Sequence, residues 1–214
     1  MSAPGAQFDR SLPLVDVRRM SPDQEQSVRA FMTGLRFAGG NATRVCSGFE
    51  MAEAIEKIAR QKAGARSVLY EPFDLAEDLG LPLALSARGV RLVPVSQAGG
   101  QIADFKIALT EAQMAIAESG SLLIGGENSG WGLATVLPWV HIAVLRAQDI
   151  AANLASAFAL FQDRFERGER NWVWVTGPSK TADIAKTLVM GIHGPNALEV
   201  LIVVDDESSP GRST

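Results

Sequence analysis

Short apolar runs alternate with segments of helical period along this chain, and that alternation restricts the possible folds more than any other feature. The predicted strands are 43–46, 67–70, 91–95, 122–124, 140–145, 172–175 and 198–204. The predicted helices between them are 49–62, 74–79, 149–165 and 179–190. Because strands joined by helices tend to pair in parallel, we predict an α/β fold with an open, mainly parallel sheet flanked by helices.

Local signals mark several element boundaries. Ser21, which precedes a proline and early acidic residues, predicts the start of a first helix that Gly39 ends. Asp149 is expected to cap the helix that begins there. The segment 106–118 fits either one helix or a turn followed by a strand, and 127–132 is a glycine-rich loop.

One α/β domain is predicted over 20–205, with a flexible arm at 1–19 and a flexible tail at 206–214. A chain of 214 residues with 47% hydrophobic residues has enough apolar material for one core. The first ten residues lack the apolar core of a secretion signal, and no apolar run approaches the ~20 residues that cross a bilayer. We therefore expect a cytoplasmic protein with no membrane span.

Charge and cysteine content exclude several classes of function. The net charge is -4, and the basic side chains form no stripe that would suit nucleic acid. The single cysteine, Cys46, ends a predicted buried strand and excludes a self-contained four-thiolate zinc or iron–sulfur site. His141 and His193 lie far apart with no acid at ligand spacing, so no metal site is predicted. Walker, Gly-x-Gly-x-x-Gly and Gly-x-Ser-x-Gly patterns are absent from the sequence.

The strongest local signal is a predicted strand that turns through Gly-Pro into a predicted helix. A helix start outside the carboxyl end of a strand offers unpaired N–H groups that suit a carboxylate or phosphate. The candidate ligand-binding residues here are Thr176, Gly177, Pro178, Ser179, Lys180, Thr181 and Asp183. Alternatively, Ser179 is only a helix cap and the Gly-Pro pair is only a turn.

A second candidate cluster precedes the predicted strand at 122–124. Glu118 is a candidate base or carboxylate nucleophile, and the adjacent Ser119, Gly120 and Ser121 are candidate ligand-binding residues. Burial beside hydroxyls and backbone donors would decide which protonation state Glu118 holds. The alternative is that Glu118 is a solvated acid in a turn.

The two histidines have different interpretations. His193 follows the last predicted helix and is a candidate acid, base or anion partner, with Gly194 beside the ligand. The alternative is that Gly194 only stops the helix, while His193 interacts favourably with the helix dipole. His141 begins a strand and is interpreted as a core histidine rather than as one that faces a pocket.

Four blocks of the sequence, taken together, resemble the LUD-domain family and specifically its lactate-utilisation protein C branch. Their order and separation match over roughly residues 100 to 204, and the blocks are 115–121, 137–142, 176–184 and 191–195. The family motif near Glu118 usually reads Ala-Glu-Thr-Gly-Thr, so Ser119 and Ser121 are conservative hydroxyl replacements. Relatives often have Pro-Pro before the Val-His pair, whereas this chain has a tryptophan at Trp139.

The resemblance implies a fold similar to the NagB/RpiA/CoA-transferase-like group and a part in bacterial oxidation of L-lactate to pyruvate. It also implies partner proteins that carry iron–sulfur clusters, while this chain has no cofactor and no redox centre of its own. The leading hypothesis is a non-metal component of that system that binds a small anionic ligand at the C-terminal strand-end loops. Glu118 and His193 would be its catalytic residues.

Two alternatives remain open at this point. The first is a stand-alone CoA or acyl transferase, or a folate-type ligase, with Glu118 as the key carboxylate. The second is a structural adaptor that docks onto partner proteins through Trp131, Trp139 or the tail.

Overall fold

The computed structural model describes residues 20–125, 131–166, 171–182, 188–190 and 194–204. The helices are α1 (Pro22–Ala38), α2 (Gly48–Ile58), α3 (Asp74–Asp78), α4 (Leu81–Ala87), α5 (Val95–Ala98), α6 (Trp131–Val136) and α7 (Leu154–Glu166). The strands are β1 (Asn41–Val45), β2 (Ser67–Tyr70), β3 (Arg91–Pro94), β4 (Ile107–Ile116), β5 (Ser121–Gly125), β6 (Val140–Arg146), β7 (Ile150–Ala151), β8 (Trp172–Val175), β9 (Lys180–Ala182), β10 (Leu188–Met190) and β11 (Ala197–Val203). The predicted arm at 1–19, the tail at 206–214 and most of the loop at 127–132 lie outside the described residues.

The main sheet consists of parallel strands in the order β1-β11-β6-β4-β2-β3. Helices cover both of its faces, because alternate residues of each buried strand point to opposite sides. One face packs on α2, α3 and α4, and the other face packs on α1. The predicted α/β class with a mainly parallel sheet is confirmed.

The first helix begins and ends where its sequence signals place it. Ser21 Oγ accepts a hydrogen bond from the N–H of Gln24, and the Gln24 side chain accepts one from the N–H of Ser21. These reciprocal bonds satisfy N–H groups that have no partner inside the helix. Gly39 ends the helix with φ of 96°, a left-handed conformation that glycine adopts without steric cost.

A second, smaller sheet grows from the far half of β4. There β4 pairs with β5 and β7, and β5 pairs antiparallel with β8. An irregularity between Ala112 and Met114 shifts the β4–β5 register where the strand passes from one sheet to the other. Helix α7 packs on one face of this second sheet through Phe161, and α1 packs on the opposite face through residues that include Leu35.

Several predicted elements differ from the structure. The undecided segment 106–118 forms the strand β4, while the short helix α4 was not predicted even though Pro82 lies at its start. The prediction that Asp149 caps α7 is wrong, because Asp149 lies in a 3₁₀ turn and β7 follows it. Asn153 caps α7 instead, and its Oδ1 accepts from the N–H of Ser156 at 2.9 Å.

Among the described residues, no helix combines the length and the apolar character that would let it cross a bilayer.

Candidate functional site

Three hydroxyl side chains from two of the predicted blocks meet beside the second sheet. Ser119 Oγ lies 2.8 Å from Ser121 Oγ, and Ser121 Oγ lies 2.7 Å from Thr176 Oγ1. The pairing of β5 with β8 sets Leu122 opposite Val175 and so brings the hydroxyls together across 55 residues. Ser121 is 7% exposed, whereas Ser119 and Thr176 are exposed, so this hydroxyl cluster has a buried centre and two open ends.

Two predicted ligand-binding glycines lie against α1. Gly120 has φ of +66°, and a Cβ there would lie 2.1 Å from the backbone nitrogen of Leu35. Gly177 has φ of +74°, and a Cβ there would lie 2.3 Å from the carbonyl oxygen of Ala38. Both positions therefore require glycine for the close approach of backbone to backbone, which accounts for these residues without a ligand.

Glu118 has a structural partner at the start of helix α7. Its exposed side chain extends to the first turn of α7, where Oε1 accepts from the N–H of Leu154 at 3.3 Å. A carboxylate at this position satisfies a free N–H group and interacts favourably with the positive end of the helix dipole. This contact explains Glu118 as a stabilising group at the start of α7.

An open groove of about 980 Å³ runs between α1 and the turn that joins β4 to β5. Glu118 and Ser119 line its turn side, and Arg29, Thr33 and Phe37 line its helix side. The exposed end of the hydroxyl cluster therefore opens onto a cleft that is accessible to a small solute. Neither the groove nor the approach of α1 could be read from the sequence blocks.

The predicted helix at 179–190 is wrong. Lys180–Ala182 and Leu188–Met190 form an antiparallel pair of short strands, in which Val189 lies opposite Thr181. Both of these residues are β-branched and suit a strand, and pairing between two separate segments supplies backbone hydrogen bonds that a helix would make internally. The N–H groups of a helix start are therefore not available at Ser179 to bind an anion.

Ser179 and Gly194, two of the predicted ligand-binding residues, lie close together at an edge of the fold that the sequence did not indicate. The N–H of Ser179 donates to the carbonyl of Pro195 at 2.8 Å, and a Cβ on Gly194 would lie 3.2 Å from Ser179 Cβ. The N–H of Asn196 donates to the carbonyl of Trp139, just before β6. Trp139 directly precedes β6 and Asn196 directly precedes β11, so Ser179 contacts segments at the amino ends of these parallel strands and not at the carboxyl ends that were expected.

The remaining predicted site residues are only partly described. Pro178 is buried beside Gly177, and the backbones of Lys180 and Thr181 belong to β9. Asp183 and His193 lie outside the described residues.

His141 is a core residue, as the sequence analysis expected. It is 1% exposed, and its Nε2 lies 2.8 Å from Oγ1 of Thr110 on the neighbouring strand β4. Burial lowers the pKa of His141 to about 4, because desolvation disfavours the charged imidazolium. The side chain is therefore neutral at physiological pH, and the hydrogen bond satisfies a polar group of the core.

Comparison with models of protein families shows to which family the chain belongs. The model of the family described as the LUD domain matches residues 28–203. The chain belongs to the LUD-domain family. A lactate utilization protein C from Deinococcus radiodurans is 31% identical over 157 residues, which cover 71% of this LUD domain chain and 69% of the relative.

Other relatives match over shorter stretches. Lactate utilization protein C 1 of Bacillus mycoides is 28% identical over 66% of this chain and 64% of its own length. For a lactate utilization protein C of a Geobacillus species, the identity is 29% over 46% of this chain and 42% of the relative. The LUD domain chain thus spans about half the length of several curated relatives that it matches.

The fold also agrees with a solved structure. The crystal structure of a DUF162 family protein from Deinococcus radiodurans superimposes with a TM-score of 0.64 at 20% identity. The match covers 86% of this LUD domain chain and 99% of that chain. At this level of identity the comparison supports the architecture alone.

This LUD domain also carries charged side chains at the carboxyl ends of its parallel strands, where open α/β sheets commonly bind ligands. Glu71 follows β2, Glu111 lies in β4 and Arg146 ends β6. Burial raises the pKa of Glu111, while the Arg146 guanidinium acts against that shift. The negative charges of Asp149 and Asp74 act to raise the pKa of Glu111. Burial also raises the pKa of Glu71.

These charged residues at the carboxyl edge were not among the candidates predicted from the sequence. The predicted strands 67–70 and 140–145 end immediately before Glu71 and Arg146, so a search for polar residues after strand ends would have found both. Glu111 was hidden, because the segment that contains it was not assigned to a strand.

Proposed function

We propose that this chain is a component of a bacterial lactate-utilisation system and that it binds a small carboxylate at the hydroxyl cluster of Ser119, Ser121 and Thr176. The relatives named lactate utilization protein C support the system, and the hydroxyl cluster supports the position of the ligand. The reaction served would be the oxidation of L-lactate to pyruvate.

The hydroxyl cluster has the hydrogen-bonding capacity that a carboxylate ligand needs. Each hydroxyl carries one hydrogen, and the two bonds within the cluster use two of the three hydrogens. The third hydrogen can point outward from Ser119 or from Thr176, because both ends are exposed. A carboxylate oxygen that accepts this hydrogen would gain a charge-assisted bond, which is stronger than a bond between neutral groups.

The proposal places electron transfer on partner proteins. A single cysteine, Cys46, cannot supply the set of thiolates that holds an iron–sulfur cluster. We therefore propose that iron–sulfur proteins of the same cytoplasmic system oxidise the ligand or accept its electrons. The role of this chain is then to bind and orient a small carboxylate.

Glu118 and Trp139 bear on the two alternative functions. In a transferase or ligase, Glu118 would be the nucleophile, but its carboxylate is engaged with the start of α7. An adaptor would use exposed aromatic side chains, and Trp139 is 56% exposed. The adaptor is therefore the second candidate function. The side chain of Trp131, the other tryptophan named for this role, lies outside the described part of the structure.

A complementation experiment tests the proposed function. A strain lacking this protein is expected to lose growth on L-lactate and to regain it with the wild-type gene. Ser121→Ala and Thr176→Val should restore growth poorly, whereas Ser86→Ala, an exposed serine on α4, should restore it fully.

Two results would redirect the assignment. Normal lactate growth of the deletion strain would contradict the role in lactate utilisation. The adaptor role would replace the ligand-binding role if two results are found together. Ser121→Ala and Thr176→Val would both restore growth fully, and Trp139→Ala would no longer co-purify with partner proteins.

A further inference from the structure

Helix α1 contains a glycine at a position where the helix itself does not need one. Gly34 lies within α1, which is otherwise well formed, with a capping box at Ser21 and a left-handed cap at Gly39. Inside a helix only proline is less favourable than glycine, because glycine has the most backbone freedom to lose. Gly34 therefore indicates a contact that leaves no room for a side chain.

That contact is made with the turn between β4 and β5, which carries Ser119. A Cβ on Gly34 would lie 2.8 Å from the backbone nitrogen of Gly120 and 3.0 Å from the carbonyl oxygen of Ala117. The N–H of Gly120 also donates to the carbonyl of Ile116 at 2.9 Å, which holds the backbone of the turn in place. Helix and turn therefore meet backbone to backbone.

A second turn meets α1 about one helical turn further on. Gly177 follows Thr176 directly, and a Cβ on Gly177 would lie 2.3 Å from the carbonyl oxygen of Ala38. Ala38 is four residues beyond Gly34, so the two contacts lie on one side of α1 and about 6 Å apart along its axis. Both turns that carry the hydroxyl cluster are therefore in backbone contact with the same helix.

We infer that α1 aligns the hydroxyl cluster and that Gly34 is a positioning residue of the carboxylate site. The identity of the ligand rests on the proposed function, whereas the alignment does not. The pairing of β5 with β8 ends with Leu122 opposite Val175, so Ser121 and Thr176 lie one step beyond the last pair. At this step the contacts with α1 hold the two turns in register.

The hydroxyl contacts leave little room for displacement. Ser121 Oγ lies 2.7 Å from Thr176 Oγ1, and O–H···O hydrogen bonds extend to only about 3.0 Å. In Gly34→Ala, the new Cβ would meet backbone atoms of the first turn, which cannot rotate away as a side chain can. The turn must therefore move from the helix, and a displacement of about 0.5 Å between the turns is enough to break the hydroxyl bond.

A double-mutant cycle in urea unfolding tests the alignment without any ligand. In the wild-type background, Ser121→Ala is expected to lower the folding equilibrium constant about fivefold, because the central hydroxyl is lost. In the Gly34→Ala background, the same change should lower the constant less than about twofold, because the hydroxyls no longer lie at bonding distance. The control background is Ser21→Ala, which weakens the other end of α1 and should leave the fivefold effect intact.

NMR titration of the full chain with L-lactate tests the consequence for the site. Gly34→Ala is expected to weaken binding at least about fivefold, whereas Ser21→Ala should bind like the wild type. Adding Gly34→Ala to Ser121→Ala should cause little further loss of affinity, because both changes act through the same hydroxyl group. A role of Gly34 in stability alone would not produce this non-additive loss.

Two results would overturn the inference. One is an equal effect of Ser121→Ala in the wild-type and Gly34→Ala backgrounds, and the other is a Gly34→Ala variant that binds L-lactate as tightly as the wild type. A wild type with no affinity for L-lactate would contradict the proposed function instead, and the unfolding cycle would then decide the alignment alone. If Gly34→Ala does not fold, Gly39→Ala takes its place, because alanine in that left-handed conformation loosens the end of α1 beside Ala38.

Discussion

The main parallel sheet and the second sheet differ in how their sequences encode them. The inner strands of the main sheet, β2, β4, β6 and β11, are largely buried on both faces, and most strands of the sheet are followed by a helix that comes next or nearly next in the chain. The second sheet and its surroundings depend on glycine contacts and on hydroxyl pairs between segments far apart in sequence. Local pattern therefore predicts strands in both regions, but it does not predict the contacts between distant segments that shape the second sheet.

The largest predicted effect concerns the contact between the backbone of Gly120 and the backbone of α1. Gly120→Ala should lower the free energy of unfolding by at least about 3 kcal/mol, because its Cβ would meet the backbone of α1 in a left-handed conformation. Gly64→Ala is the matched control, since Gly64 has φ of +58° but no atom within 4 Å of its Cβ. Strain alone should cost this control about 1–2 kcal/mol. Urea unfolding measures both, and equal losses would contradict the proposed close contact.

His141 provides a test within the main sheet. Its pKa is lowered from 6.5 to about 4, so the folded state binds fewer protons than the unfolded state between these values. The stability that His141 contributes is complete above pH about 6.5 and is lost as the pH falls through about 4. The loss amounts to about 3 kcal/mol. His141→Gln cannot titrate and should lack this part of the acid sensitivity.

Proton NMR supplies the direct measurement, because the chain has 2 histidines and so only two sets of imidazole signals. The His141 signal should stay at its neutral position until the pH approaches about 4. A midpoint near 6.5 would contradict the buried, hydrogen-bonded position of this side chain.

The predictive power of the sequence depends on whether neighbouring or distant residues decide the local structure. Strands 67–70 and 172–175 were predicted with the observed bounds, and Ser21 was recognised as a cap, because these signals depend on neighbouring residues. The segment 179–190 was predicted as a helix, but pairing between Lys180–Ala182 and Leu188–Met190 decides its conformation. Nonlocal pairing of this kind leaves no periodic signal that distinguishes it from a short helix.

The candidate site shows a similar limit. The sequence indicated Ser119, Ser121 and Thr176, and the structure brings their hydroxyls into contact. The sequence did not indicate that α1 lies so close to Gly120 and Gly177 that only glycine fits there, because the position of α1 depends on the assembled fold.

A smaller effect is expected for the hydroxyl cluster. Ser121→Ala removes the central partner of two hydroxyls, both of which can bond to water instead, so the loss in unfolding free energy should be about 1 kcal/mol. The control Ser86→Ala should change stability by less than about 0.5 kcal/mol. A Ser121→Ala variant as stable as this control would show that the cluster does not hold β5 and β8 together.

The smallest predicted effect separates the two interpretations of Glu118. Glu118→Ala should cost about 0.5–1 kcal/mol and reduce amide-exchange protection in the first turn of α7. Glu118→Gln keeps an acceptor and should retain most of that protection. Loss of lactate-dependent growth in Glu118→Gln with unchanged α7 protection would instead favour a chemical role for the carboxylate.

The place of β11 in the main sheet has a consequence for synthesis of the protein. β11 is the last described strand of the chain, yet it lies between β1 and β6 and pairs with both along their lengths. While the ribosome is still making residues before 197, β1 has no partner among the other described strands and β6 has an open side. The nascent chain therefore completes its core only after β11 has left the exit tunnel, and a ribosome that stalls earlier leaves the backbone edges of β1 and β6 open to chaperones and proteases.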